Sequence, residues 1–133
     1  MSDLLLVAIG GCLGAVTRYL VDAGVTKFAG GDFPWATLLV NVTGAFALGV
    51  LVVLTVERGL LPMALRPAVG IGFLGAYTTF STYAVDALLL AEGGRMLRAL
   101  AYVLASNVLA IAAAAAGFLA GRGVPAAWIP WNP

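Results

Sequence analysis

The chain has 133 residues, 62% of them hydrophobic and only 10% charged, and its mean hydropathy of +1.05 is far above that of a soluble globular domain. The seven basic and six acidic residues nearly cancel and lie mostly between apolar stretches, which excludes a basic surface for nucleic acid. A single cysteine and no histidine exclude disulfide frameworks, thiol or imidazole metal cages, and catalytic triads that depend on histidine.

Four apolar segments are long enough to cross a bilayer as helices, because a hydrocarbon core of about 30 Å requires roughly 20 residues. These spans cover residues 4–25, 35–56, 66–91 and 97–120. The clusters between them are polar or helix-breaking and too short for another domain. We therefore expect an all-α integral membrane protein with a transmembrane unit over residues 1–121 and a short Pro/Trp-containing tail over 122–133.

Span one follows Met1-Ser2-Asp3 without a basic region or a cleavage pattern, so we expect it to be retained. It contains two glycines four positions apart, a spacing that lets membrane helices approach closely. Such pairs predict helix-packing seams and carry no information about transport. The pairs are Gly10 and Gly14 in span one, Ala45 and Gly49 in span two, and Gly117 and Gly121 in span four.

Span two carries the polar residues Thr37, Asn41 and Thr43, with Thr37 and Asn41 one turn apart on the same face. A polar side chain at membrane depth must find a hydrogen-bond partner or line a watery path. The two N–H donors of the Asn41 amide suit a dehydrated anion. A bond from Asn41 to a neighbouring helix explains the residue equally well when span two is considered alone.

Span three has three glycines followed by a run of hydroxyl residues, within the stretch GIGFLGAYTTFSTY at 70–83. Glycine and threonine weaken a continuous helix, and hydroxyl side chains offer competing local hydrogen bonds. The pattern therefore predicts a break in mid-membrane, where freed carbonyl groups line a cavity and can hold a cation. The alternative is a continuous, slightly bent helix whose threonines bond back to its own carbonyls.

Phe80 and Tyr83 lie one turn apart on span three, and the positive edges of their rings can contact an anion weakly. Two aromatic residues at this spacing belong to a core more often than to a pore. Together with Asn41 and the hydroxyls, however, they form a path of uncharged donors from which a small anion can also leave. Asp86 is the carboxylate nearest to membrane depth, and we expect it to cap a helix, pair with Arg18 or face a vestibule.

Six of the seven basic residues are divided evenly between the two faces that four spans would create, and Arg18, near the end of span one, adds only a slight excess on the face of Lys27. Arg58, Arg66 and Arg122 share the face of the N-terminus, and Lys27, Arg95 and Arg98 lie on the other. Because excess Lys and Arg on the cytoplasmic side normally sets orientation, this division predicts insertion in both directions. Two opposite copies can then pair about a two-fold axis in the membrane plane. A single dominant orientation is the alternative.

Trp128 and Trp131 in the tail are predicted interfacial anchors.

Three stretches in this order resemble the Fluc fluoride channels, also called CrcB proteins, over about residues 4–121. They are GGCLGAVTRY at 10–19, TLLVNVTGAF at 37–46, and GFLG at 72–75 followed by TTFSTY at 78–83. The resemblance implies a dual-topology, antiparallel homodimer with two pores in the cell inner membrane of a microbe. It implies a channel, not an enzyme, that exports fluoride passively and so limits its toxicity in the cytoplasm.

The resemblance also implies which residues form the fluoride pore. Asn41 matches a pore asparagine, Phe80 matches the first of two pore phenylalanines, and Tyr83 stands where the second phenylalanine is usual. The other pore positions that the resemblance implies are Ser81, Thr82, Tyr102, Ser106 and, near the entrance, Arg18. Ala110 stands where many relatives have a hydroxyl, so the polar path is expected to be shorter here.

A structural sodium ion is the cofactor that the resemblance implies. Gly75 and Thr78 match the break in span three, where backbone carbonyls of the family hold sodium on the dimer axis. Two other functions remain open at this point. A proton-coupled small multidrug exporter is also a four-helix, dual-topology dimer, but span one lacks the glutamate that such exporters carry there. A non-transporting membrane scaffold would use Asn41 and the hydroxyls as interhelical hydrogen bonds.

Overall fold

The computed structural model describes residues 3–125, and the regular elements in this range are all helical. The elements are α1 (Asp3–Ala29), α2 (Trp35–Val52), α3 (Gly75–Tyr77), α4 (Phe80–Glu92) and α5 (Met96–Gly123), with π-helical segments at Val53–Glu57 and Arg66–Leu74. Trp128 and Trp131, and with them most of the tail, lie outside the described residues. Their predicted role as interfacial anchors therefore stays a prediction.

Three helices of the described part are long and apolar enough to cross a membrane: α1, α2 with its π-helical continuation to Glu57, and α5. They correspond to the first, second and fourth predicted spans, whose helical nature is confirmed. The third predicted span is divided into shorter pieces, Arg66–Leu74 with α3, and then α4. Because none of these pieces alone reaches the roughly 20 residues of a full crossing, this span differs in kind from the other three.

The third predicted span leaves helical geometry at two threonines. Thr78 has φ −79° and ψ 159°, and Thr79 has φ −152° and ψ 116°, so both residues are extended. Helix α4 then begins at Phe80 with Thr79 as its N-cap, because the Thr79 hydroxyl accepts a hydrogen bond from the Thr82 N–H at 3.2 Å. The break that the glycines and hydroxyls predict is present, and the alternative of a continuous bent helix is wrong.

Small residues bring α1 against the π-helical segment Arg66–Leu74. A methyl group on Gly10 would overlap the carbonyl oxygen of Ala68, and one on Gly14 would overlap that of Phe73. From the other side, a methyl group on Gly72 would lie 2.8 Å from the carbonyl oxygen of Val7. The predicted seam in span one is thus confirmed, and it holds two segments of the same chain together.

A second seam joins α2 to α5. A methyl group on Gly117 would overlap the carbonyl oxygen of Phe46, and one on Gly49 would lie 2.6 Å from that of Ala114. A methyl group on Gly121 would come within 2.9 Å of the Val53 side chain. Gly49, Gly117 and Gly121 therefore pack as predicted, whereas Ala45 lines a cavity beside the break.

Polar contacts tie the ends of α2 and α5 together. Nη1 of Arg58 donates to the carbonyl oxygens of Gly121 and Arg122 at 3.2 and 3.1 Å, and also to that of Val124. Glu57 forms a two-bond ion pair with Arg122 at 2.9 Å. At the opposite end, Arg95 donates to the Asp32 carbonyl at 3.3 Å. Helices α2 and α5 consequently run in the same direction.

Candidate functional site

The Asn41 side chain binds both polar groups of the Thr79 backbone. Its Nδ2 donates to the Thr79 carbonyl oxygen at 3.1 Å, and the Thr79 N–H donates to its Oδ1 at 2.8 Å. In a continuous α-helix that N–H would instead bond the carbonyl of Gly75, so Asn41 satisfies groups that the break has released. The interhelical bond foreseen as an alternative for Asn41 is present, and one amide hydrogen remains without a partner among the described residues.

Hydroxyl groups gather where α4 begins. The Thr79 hydroxyl donates to that of Thr82 at 3.0 Å and lies 3.3 Å from that of Ser81. The two predicted hydroxyl residues of span three, Ser81 and Thr82, are therefore brought to the break. Each hydroxyl carries one hydrogen and two lone pairs, so the cluster can reorient its donors toward a passing group.

A row of aromatic rings runs from the break into the protein. The centroids of Phe80 and Tyr83 are 5.4 Å apart, those of Tyr83 and Tyr102 are 5.5 Å apart, and Tyr102 meets Phe33 edge to face at 5.5 Å. Tyr102 is fully buried, whereas 79% of Phe80 is exposed. The row thus leads from a buried phenol to an exposed ring.

A cavity of about 240 Å³ beside the break collects four of the eight predicted pore residues: Asn41, Phe80, Tyr83 and Ser106. Its lining contains no charged side chain and consists of Asn41, Thr78, Thr79, Phe80, Tyr83, Ser106, Asn107, Ala110 and Ile111. The Ser106 hydroxyl oxygen is buried and has no hydrogen-bond partner among the described residues. Buried polar atoms are normally hydrogen-bonded, so this hydroxyl is available to bind water or an anion in the cavity.

Asn107 belongs to this cavity although sequence analysis did not single it out. The rule that selected Asn41, a polar amide inside an apolar span, applies equally to Asn107 and would have found it. Its amide nitrogen donates a hydrogen bond to the Tyr83 hydroxyl oxygen at 2.9 Å. Tyr102, in contrast, is buried behind the rings and lines none of the cavities described here.

Arg18 lies apart from this cavity, in a second one of about 300 Å³ whose lining includes Thr37, Thr79 and Thr82. Thr79 lines both cavities. The Arg18 cavity also contains Asp22, so it holds one charge of each sign, whereas the cavity around Asn41 holds none.

Asp86 accepts hydrogen bonds from Thr37 and Tyr102. Its Oδ2 lies 2.7 Å from the Thr37 hydroxyl and 3.5 Å from that of Tyr102. Asp86 also lines an open cavity of about 260 Å³ at the end of the protein that carries Arg95. Of the three roles foreseen for Asp86, the vestibule is the one observed. In the described part of the chain the only ion pair joins Glu57 to Arg122, so the expected pairing of Asp86 with Arg18 is not found.

Gly75 and Thr78 lie on another face of the break. Both line a cavity of about 270 Å³ that also contains Asn41, Gly44 and Ala45. The Thr78 hydroxyl and N–H both donate to the Leu74 carbonyl oxygen, at 2.9 and 3.0 Å. Because the chain is extended at Thr78 and Thr79, the last carbonyls before the break have no following helical turn to bond. Neutral carbonyl oxygens of this kind fit a monovalent cation.

Comparison with known proteins gives consistent matches. The model of a family described as "CrcB-like protein, Camphor Resistance (CrcB)" matches residues 5–118. A protein of Hahella chejuensis named fluoride-specific ion channel FluC is 46% identical over 122 residues, which cover 92% of this chain and 96% of that protein. Fluoride-specific ion channel FluC of Nitrobacter winogradskyi is 46% identical over 114 residues, covering 86% and 90%. Fluoride-specific ion channel FluC 2 of Nocardia farcinica is 48% identical over 120 residues, covering 90% and 82%.

Proposed function

This chain belongs to the CrcB family, and from that premise we propose that it is a fluoride-selective ion channel that exports fluoride passively from the cell. It is a multi-pass protein of the cell membrane and not an enzyme. The observation that carries the proposal is the uncharged cavity at the break, which is lined by Asn41, Phe80, Tyr83 and Ser106. The exporter and the scaffold receive no support from the relatives, which are named ion channels.

An uncharged lining suits the conduction of a small, strongly hydrated anion. Such an ion must replace its water by several short donors, yet must leave again for the next ion to follow. A lysine or arginine in the cavity would bind the anion too tightly, whereas contacts to amide groups, hydroxyl groups and ring edges are individually weak. Ser81 and Thr82 supply hydroxyls at the break, and Arg18 draws the anion toward the entrance.

The broken third span and α4 together serve as a fourth crossing in this proposal. The bond from Arg95 to Asp32 brings the α1–α2 and α4–α5 connections to one end, and the bonds from Arg58 bring the end of α2 to the end of α5. Four crossings with short connections produce that arrangement. Asn41 satisfies the N–H and the carbonyl group of Thr79 at the break, which helps an interrupted helix to be tolerated inside a bilayer.

The active form proposed here is an antiparallel, dual-topology homodimer. Support comes from the nearly even division of Lys and Arg between the two faces of a four-crossing chain. Further support comes from Phe80, which is 79% exposed in the protomer although it lines the candidate cavity. A second copy packed against the exposed Phe80 ring would complete the wall of the cavity.

We further propose that a sodium ion binds where the third span is broken, held by the backbone carbonyls of Gly75 and Thr78. Support comes from the position of both residues on one cavity and from the extended backbone at the break, which leaves carbonyls without helical partners. An ion on the dimer axis would collect such carbonyls from both copies. Its role would be structural, since it would hold the two breaks together.

Flux from liposomes tests the proposed function directly. Vesicles that contain the purified protein and are loaded with fluoride are expected to release it down its gradient, as recorded by a fluoride electrode. Vesicles loaded with chloride are expected to retain it, and protein-free vesicles supply the baseline for both ions. Chloride release at the same rate as fluoride release would refute the selectivity, and no release of either ion would refute the channel.

A further inference from the structure

The amide of Asn107 fixes the role of the Tyr83 hydroxyl. Nδ2 of Asn107 lies 2.9 Å from the Tyr83 oxygen and 2.7 Å from the carbonyl oxygen of Val103. A carbonyl oxygen can only accept, so the nitrogen of the amide, and not its oxygen, must face Val103. The same nitrogen therefore donates its other hydrogen to Tyr83, and the phenol oxygen is the acceptor in that bond.

The hydrogen of the Tyr83 hydroxyl is consequently left to donate elsewhere. No acceptor for it is present among residues 3–125, in which the bond from Asn107 is the hydrogen bond that the phenol makes. A hydroxyl that accepts one hydrogen bond becomes a better donor in the next, because successive bonds polarise each other. Asn107 thus both orients the phenol and strengthens it as a donor.

Tyr83 shares its cavity with two other donors that have capacity to spare. The Ser106 hydroxyl is buried without a partner in the described part of the protein, and Ser106 as a whole is only 6% exposed. Asn41 retains one amide hydrogen beyond its bonds to Thr79. All three residues line the same space of about 240 Å³, which is ample for one unhydrated or partly hydrated halide.

We propose that the Tyr83 hydroxyl is an additional anion-binding donor in this cavity and that Asn107 is the positioning residue that directs it there. The ligand is a small halide, with fluoride as the conducted ion, so the inference rests on the proposed function. An added donor lowers the free energy of the bound ion without introducing a fixed charge. Half-maximal flux is then reached at a lower fluoride concentration than the rings alone would give.

Replacement of Tyr83 by phenylalanine tests the hydroxyl, because Tyr83→Phe removes one oxygen and keeps the ring. We expect the fluoride concentration for half-maximal efflux from liposomes to rise by about threefold to tenfold, the effect of one lost hydrogen bond. Tyr77→Phe is the matched control, since the Tyr77 hydroxyl bonds Thr43 at 3.0 Å and lines none of the cavities described. It is expected to leave the half-maximal concentration unchanged.

The outcome separates this inference from the proposed function. Wild-type protein that releases no fluoride would count against the channel itself. Wild-type protein that conducts fluoride, with a half-maximal concentration that Tyr83→Phe leaves unchanged or lowers, would overturn the role of the hydroxyl while the channel stands.

A double-mutant cycle tests the positioning role of Asn107. Asn107→Leu keeps the approximate shape of the side chain and removes both donors, so it is expected to raise the half-maximal concentration as Tyr83→Phe does. In a Tyr83→Phe background it should add nothing, because its partner is already absent. An equal rise in both backgrounds would overturn the positioning role. Elution of each variant at the wild-type oligomer size establishes that the comparison is between folded proteins.

Discussion

Asn41 and Thr79 lie 38 positions apart and are joined by two hydrogen bonds, one to each polar group of the Thr79 backbone. The side chain of α2 thereby replaces the helical bonds that the third span loses where it is broken. An amide is suited to this task because it offers a donor and an acceptor side by side. Asn41 also lines the candidate cavity. One side chain therefore affects both the backbone at the break and the polar lining of the cavity.

Replacement of Asn41 by aspartate should reduce fluoride flux on two grounds. The Asn41→Asp variant places an acceptor against the Thr79 carbonyl, where a lost hydrogen bond costs about 1–3 kcal/mol. It also places a negative charge in the cavity, and this charge repels the permeating anion. We expect flux in liposomes to fall by at least about tenfold.

Thr43→Val provides the comparison for this variant, because Thr43 lies on the same helix and bonds the Leu39 carbonyl and the Tyr77 hydroxyl outside the cavity. It should retain most of the wild-type flux. Full conduction by Asn41→Asp would remove Asn41 from the mechanism.

Phe80→Ile should separate conduction from stability. The Phe80 side chain is 79% exposed, so its loss removes little packing within the chain. It does remove a ring edge from the wall of the cavity, and we expect fluoride flux to fall about tenfold as a result. Phe28→Ile, at an 87% exposed position near the end of α1, is the matched control and should conduct normally. Equal flux through both variants would contradict a role for the Phe80 ring.

The seam between α2 and α5 predicts a large effect of one added methyl group. In Gly117→Ala the new group would overlap the Phe46 carbonyl oxygen, and because backbone cannot yield easily, the free energy of unfolding should fall by about 1–3 kcal/mol. Thermal unfolding in detergent measures the change. In Gly24→Ala the methyl group meets nothing within 4 Å, and stability should rise by about 0.5–1 kcal/mol. A Gly117→Ala variant as stable as Gly24→Ala would contradict the close packing of α2 against α5 at Gly117.

Two neighbouring charges at the end of α2 should differ in their effect on stability. Arg58 is half-buried and donates to carbonyls at the end of α5, so Arg58→Met should lower the free energy of unfolding by about 1–2 kcal/mol. Glu57 pairs with Arg122 in an exposed position, where water screens the attraction. Glu57→Gln should therefore leave the melting temperature nearly unchanged. A larger loss from Glu57→Gln than from Arg58→Met would reverse this ranking.

Much of the fold follows from apolar length and from helix-breaking residues. The helices over the first, second and fourth predicted spans required only hydrophobic runs that end at Gly, Pro and charged residues. The glycines and threonines of the third span predicted its break, because their low helix propensity agrees with the backbone that the folded chain adopts there. Its position was less accurate: Gly75 is helical, and the extended residues are Thr78 and Thr79.

The partners of the site residues could not be read from the sequence. Nothing local to α2 indicates that Asn41 reaches Thr79, since that bond depends on how two distant segments pack. The engagement of Asp86 by Thr37 and Tyr102, in place of Arg18, depends on packing in the same way. The π-helical geometry of Arg66–Leu74, a segment that packs against α1 at Gly10 and Gly14, was likewise not predicted from the sequence. The roles of the pore residues and the sodium remain predictions.

The two bonds between Asn41 and Thr79 also constrain how such a sequence can evolve. If the third span became a continuous helix, the Asn41 amide would lose both hydrogen-bond partners in an apolar environment. If Asn41 were replaced first, the N–H and carbonyl of Thr79 would lose their partners there. Neither single step is neutral. A lineage that abandons the kink must therefore change residue 41 and the threonine pair together, and we expect these positions to vary jointly or not at all.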